Sequence, residues 1–237
     1  MSEISTNTFL KLLTNSGISF FLQNIPNNLY EQKSKTNRKL IHNISEILTI
    51  KELEMFIKNS NICKLRNEAK STVVGDGNEK SKIMIIGEAP GAEEDKLGKP
   101  FVGTAGQLLN KMLHAISINR KDIYITNIIP WRPPNNRTPT NEEIIQCLSF
   151  IQRHIEIINP KLILLLGATA SKTILNTNLS ITKLRGKWHE YKSINHKETI
   201  YCLATYHPAF LLRSPENKKQ SWEDLKKFKK RIEDENL

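Results

Sequence analysis

"IMIIGEAPGAEEDKLGKPFVGTAGQLL", residues 83–109, decides how this chain folds. It opens on Ile83-Met84-Ile85-Ile86, a short apolar run with no polar alternation, as expected of a parallel strand buried on both faces. A turn rich in glycine and acid follows. Ala105, Leu108, Leu109, Met112, Leu113 and Ile116 then recur at helical spacing. Strand, turn and helix in that order are the first half of an α/β unit.

The same alternation continues towards the C-terminus. Residues 123–126, 161–166 and 200–204 are further short runs rich in Ile, Leu and Tyr. Thr140 with Glu143 three residues on is a capping-box signature. It opens a helix whose apolar stripe is Ile144, Leu148, Ile151 and Ile155, and which stops before Pro160. Residues 168–175 and 220–232 supply two more helices. Strands alternating with helices through right-handed crossovers give an α/β sandwich around a parallel sheet. Residues 79–237 are expected to form this domain. Residues 1–78 read as a helical, partly flexible N-terminal extension. Apolar clusters stand at Phe9–Leu13 and Phe20–Leu22, a polar linker runs over 30–39, and residues 44–57 have helical periodicity.

A formal charge of +11 over 237 residues points to an anionic partner, nucleic acid before membrane. No apolar run approaches the ~18 residues of a membrane span, and the N-terminus lacks the pattern of a signal peptide. Three cysteines, Cys63, Cys147 and Cys202, cannot all pair with one another. Together these features predict a reducing, cytoplasmic setting. A monomer is expected.

Ligands of open α/β sheets bind beyond the carboxyl ends of the strands. The first strand runs into Gly87-Glu88, the second into Asn127, and the last through Thr205-Tyr206 into His207-Pro208. A carboxylate, an amide and an imidazole therefore meet at one sheet edge. A phosphate cradle is excluded there, because neither G-x-x-x-x-G-K-[ST] nor G-x-G-x-x-G follows the strand. The acids Glu93, Glu94 and Asp95 would also repel phosphate. The glycines instead let backbone approach something flat and neutral, with Phe101 available to lie against it.

These residues resemble the motifs of family 4 uracil-DNA glycosylases. Gly87-Glu88-Ala89-Pro90-Gly91, Glu94-Asp95, Gly98, Pro100-Phe101-Val102-Gly103 and Ala105-Gly106 are similar to the first block. Asn127, Arg132-Pro133-Pro134, Asn136-Arg137 and Pro139 are similar to the second. Arg185-Gly186 and Tyr206-His207-Pro208-Ala209-Phe210-Leu211-Leu212-Arg213 are similar to the last. The match runs over residues 60–232.

The resemblance implies a three-layer α/β/α sandwich around a four-stranded parallel sheet. It also implies hydrolysis of the N-glycosidic bond of uracil in DNA, leaving an abasic site. Gly87, Ala89, Phe101, Asn127 and His207 would then hold the base, with Phe101 stacked on the flipped ring. The Asn127 amide would accept from N3–H and donate to O4; cytosine offers the reverse polarity and leaves polar groups unpaired. His207 would donate to O2, where negative charge grows. Glu88 would favour the oxocarbenium-like sugar and orient water. Because related glycosylases carry Asp where this chain has Ala89, Glu93, Glu94 and Asp95 stay open as alternatives for the water. Gly91 stands where some relatives carry a Tyr against the thymine methyl. Arg132, Arg137, Arg185 and Arg213 would meet DNA, with Leu211-Leu212 as the wedge.

Family 4 members usually hold a [4Fe–4S] cluster on four cysteines. Cys63 and Cys147 match two of those positions, while Ser60 and Trp131 replace the others and Cys202 matches none. Such clusters need thiolates, normally four, so no metal or cofactor is expected. Two rival readings use the same pocket: a non-turnover protein that captures uracil sites, and a hydrolase of free nucleotides. The absence of a His between Asn127 and His154 weighs against the first, and the basic Leu211-Leu212-Arg213 segment against the second.

Overall fold

A computed structural model describes residues 44–192 and 199–237. The readings made for residues 1–43 lie outside the described residues. Among those described, six strands form one sheet: β1 (Gly75–Gly77), β2 (Ile83–Gly87), β3 (Tyr124–Asn127), β4 (Leu162–Leu166), β5 (Trp188–Tyr191) and β6 (Ile200–Thr205). Their order is β1-β3-β2-β4-β6-β5. The four inner strands are parallel, as expected, and β1 and β5 add antiparallel edges.

Helices cover both faces. α1 (Ile50–Asn59), α2 (Leu65–Glu68), α3 (Ala92–Leu97), α4 (Thr104–Ala115) and α5 (Asn141–Ile158) precede β4. α6 (Gly167–Leu175), α7 (Ile181–Leu184), α8 (Pro208–Arg213) and α9 (Lys218–Asp234) follow it. The period-2 geometry of a strand sends alternate side chains to opposite layers. Met84, Ile86, Ile163, Leu165, Cys202 and Ala204 join one core with α1, α5 and α6. Ile83, Ile85, Leu162, Leu164 and Leu203 join the other, with α4 and α9.

Local signals explain the helix limits. Thr140 and Glu143 form the capping box of α5, which ends on Asn159 in the left-handed conformation just before Pro160. Thr49 and Glu52 do the same for α1. Residues 44–78, grouped with the N-terminal segment on sequence grounds, contribute Ile44, Ile50, Leu53, Ile57, Cys63, Leu65 and Val74 to the core around α5.

One polar pair lies deep in that core. His154 of α5 is 3% exposed, and its ring centre is 5.9 Å from that of Tyr124. Neither the His154 Nε2 nor the Tyr124 hydroxyl has a hydrogen-bond partner among the described residues. Burial pushes the His154 pKa down to about 4, against a bond to the Phe150 carbonyl that pulls it up. The folded state thus keeps this ring neutral where the unfolded chain protonates it, near 6.5. Its contribution to stability is complete above the unfolded value and disappears as pH falls through the folded one. The urea midpoint should therefore fall between about pH 6.5 and pH 4, and His154→Leu should remove part of that fall. Parallel pH dependences in the two proteins would refute the assignment.

Candidate active site

β2 and β3 pair in parallel with Gly87 opposite Asn127. The pairing continues past the sheet edge: Ile128 N–H donates to the Gly87 carbonyl and Ile129 N–H to that of Glu88, each at 3.0 Å. Glu88 and Asn127 are thereby held side by side, and β6 delivers His207 two residues beyond its end. Gly87 has no room for a side chain, because a Cβ there would run into the Asn127 amide oxygen and the Phe101 ring.

The result is a cleft of about 430 Å³. Glu88, Ala89, Phe101, Asn127, His207, Arg137 and Arg213 line it. Asn127 is 5% exposed, and its Oδ1 is buried without a partner among the described residues. An orphaned acceptor costs about 1–3 kcal/mol, a cost that a donor reaching it from the cleft would relieve.

His207 caps α8. Its Nδ1 accepts from Ala209 N–H at 3.1 Å, so a neutral ring carries its proton on Nε2. Burial, helped by the positive charge of Arg213 and opposed by Glu94, pushes its pKa down to about 4. The imidazole is therefore neutral at physiological pH, with Nε2–H as its donor. The Phe101 ring lies 5.7 Å away at 32°.

The acids of the turn serve as anchors. Glu94 accepts from Gly91 N–H at one oxygen (3.1 Å) and from Val102 and Gly103 N–H at the other (2.9 and 2.8 Å). Asp95 accepts from Lys70 and Ser71 N–H. Both are buried and committed to backbone, whereas Glu93 is exposed. Glu88 lines the cleft and accepts from the Thr169 hydroxyl at 2.5 Å.

Phe101 itself sits at φ 52°, a left-handed conformation rare for an aromatic residue. Arg120 holds it there, donating to the carbonyls of Pro100 (2.6 Å) and Phe101 (2.8 Å) while pairing with Asp76 at 3.1 Å. The sequence gives no local sign of Arg120, which lies in a 3-10 turn 19 residues downstream.

Other candidates are placed differently. Leu211 is 1% exposed and belongs to the interior, so the surface residue of that pair is Leu212, at 41%. Arg185 is drawn to α9, where it pairs with buried Asp224 at 2.6 Å and lies over the Tyr206 ring. Arg137 makes a two-pronged bond with Glu143, and Arg132 bonds Asn136. Neither Arg132 nor Arg185 lines the cleft.

The residues at the cysteine positions do not fit a four-thiolate cluster. The Cys147 thiol donates to the Cys63 sulfur, which lowers the Cys63 pKa and, with burial, raises that of Cys147. Trp131 is fully buried beside them in the same core. Its ring meets Phe150 edge-on at 6.0 Å, and its Nε1–H donates to the Thr72 hydroxyl at 3.1 Å. Ser60 is buried too.

Comparison with known proteins agrees with this geometry. Residues 74–226 match the sequence profile of the Uracil DNA glycosylase superfamily. A protein of Thermotoga maritima described as a type-4 uracil-DNA glycosylase is 43% identical over 182 residues, covering 76% of this chain and 92% of that protein. Proteins of the same description from Saccharolobus solfataricus and Sulfurisphaera tokodaii are 42% and 45% identical. These alignments cover 72% and 70% of this chain, and 80% and 77% of those proteins.

Replacing Arg120 by Met keeps its bulk and removes its charged hydrogen bonds, each worth roughly 1.5–3 kcal/mol. Arg120→Met should lose about 2 kcal/mol in urea unfolding and be cut faster by chymotrypsin after Phe101, which is buried in the intact turn. Unchanged stability and cleavage would show that Arg120 does not hold the Phe101 turn.

Proposed function

Since this chain belongs to the uracil-DNA glycosylase superfamily and groups with its type-4 members, we propose that it excises uracil from DNA by hydrolysing the N-glycosidic bond. The observation that carries the reading is the buried, unpartnered Asn127 Oδ1, set in one cleft with the Phe101 ring and the His207 imidazole.

The target base leaves the duplex and enters the cleft. Its face lies against Phe101, and Ala89 leaves space beside Gly87. Asn127 Oδ1 accepts from N3–H and the amide N–H donates to O4. Cytosine would set acceptor against acceptor at N3, which explains its rejection.

As the glycosidic bond lengthens, negative charge moves onto the base and positive charge onto the sugar. The His207 Nε2–H meets the charge at O2. A neutral donor already locked by Ala209 N–H needs no rearrangement during the step, as electrostatic stabilisation requires. The Glu88 carboxylate faces the sugar cation and orients the attacking water. Glu94 and Asp95, with their oxygens committed to backbone N–H groups, are poor substitutes for it.

On the DNA side, Arg213 lines the cleft and exposed Leu212 is the residue suited to fill the vacated stack. Arg132 and Arg137 add to the basic side chains of a chain whose formal net charge is +11. A cytoplasmic monomer, expected from the sequence, remains part of this reading.

His207→Ala removes a contact made chiefly in the transition state. Single-turnover release of uracil from a labelled oligonucleotide, read as alkali-sensitive strands on a gel, should slow by ~10²–10³-fold while DNA affinity barely changes. Excision within a few-fold of wild type would remove His207 from the mechanism. A wild-type protein that only retains the oligonucleotide, or acts only on free nucleotides, would overturn the reading itself.

The cysteine positions lead to a second expectation. Two free thiols in one core with a buried Trp131 fall short of the four ligands of a cluster, so the purified enzyme should be colourless, iron-free and active after chelation. Brown protein with about four irons per chain would reverse that.

A further inference from the structure

We propose that Thr169 is a positioning residue that fixes the Glu88 carboxylate for bond cleavage, and that the first turn of α6 is the element aligning both reacting side chains. The proposal rests on the glycosylase reading above. Thr169 stands on that turn, and its Oγ1 donates to Glu88 Oε2 at 2.5 Å. No other hydrogen bond to the Glu88 carboxylate is present among the described residues, so Thr169 alone restrains a side chain with three rotatable bonds.

At the third residue of α6, Thr169 has no helical carbonyl four residues earlier to bond back to. Thr and Ser inside helices ordinarily donate back to the carbonyl four residues earlier. Ser171, two positions along the same helix, does this with the Gly167 carbonyl at 2.7 Å. Thr169 instead reaches across to the end of β2. Its β-branched side chain has few χ1 choices in a helix, so the hydroxyl is already placed. The bond occupies one carboxylate oxygen and leaves the other for water. A carboxylate over the first turn of a helix is also favoured by the helix dipole.

The same turn touches the other half of the site. Gly167 adopts φ +89°, and a Cβ there would sit 3.0 Å from the His207 Cβ. One rigid turn therefore sets the group facing the sugar, through Thr169, and the group facing the base, through Gly167. Misplacing a catalytic group by about 1 Å can cost ~10²-fold, so loss of the hydroxyl should be read in turnover rather than in binding.

The test uses the full chain and single-turnover excision of uracil from an oligonucleotide. Thr169→Val keeps shape and removes the donor; it should slow cleavage by roughly 10–10²-fold with DNA affinity unchanged. Thr169→Ser, which keeps the donor, should restore the rate to within a few-fold. Thr169→Ala stands in if the Val variant fails to fold. In a Glu88→Gln background Thr169→Val should have little further effect, because the two act as one unit. Equal slowing by Val and Ser, full activity of the Val variant, or additive losses with Glu88→Gln would each overturn the proposal while wild-type excision stands. A wild type that does not excise uracil overturns it together with the reading beneath it.

Discussion

Gly87 has no side chain, and the cleft exists because of that. At the register position opposite Asn127, any Cβ would displace both the amide that faces the cleft and the ring beside it. The parallel ladder then carries on for two more hydrogen bonds, so the carbonyls of Gly87 and Glu88 are fixed by Ile128 and Ile129. These two isoleucines are fully buried. Hydrophobic burial below the edge thus sets the angular precision of polar groups above it. A looser arrangement would leave the Asn127 amide free to turn.

The acids following Gly87 show how a site can be electronegative within a cationic protein. Glu94 closes three backbone N–H groups around the turn, and Asp95 ties the turn to residues 70 and 71. Each carboxylate meets donors that would otherwise be orphaned in a glycine-rich loop. The loop is consequently rigid despite its composition, and it can hold Phe101 in a backbone conformation that aromatic residues seldom adopt. Glu94 also opposes the depression of the His207 pKa, though burial and Arg213 prevail. The neutral imidazole is thus a consequence of its burial.

What the sequence disclosed follows from the range of the forces involved. The four parallel strands announced themselves because strands buried on both faces must be apolar throughout, and α5 because its cap and stripe are local. β1 is Gly-Asp-Gly and carries no apolar signal at all. β5, Trp188–Tyr191, is an edge strand whose residues are only partly buried, so its pattern is weak. The strand-end rule found Glu88, Asn127 and His207, since it needs only strand direction. It could not find Arg120 or Thr169, which act across 19 and 81 residues of sequence. Nor could it tell Leu211 from Leu212, because neighbours on a helix point about 100° apart and only the packing of α8 decides which is buried. The partner of Arg185 was equally out of reach, since Asp224 lies 39 residues downstream.

The segment between Asn127 and Trp131 joins the cleft to the core. Asn127 ends β3, Ile128 and Ile129 bury on the sheet, Val73 N–H donates to the Pro130 carbonyl at 2.8 Å, and Trp131 roots the segment in the core. A position that elsewhere implies a thiolate ligand is here an indole with no exposed surface, packed edge-on against Phe150, which in turn meets Phe56 of α1. Burying a side chain of this size contributes several kcal/mol, enough to fasten a loop without metal. Asn127 is thereby anchored through the packing of Trp131.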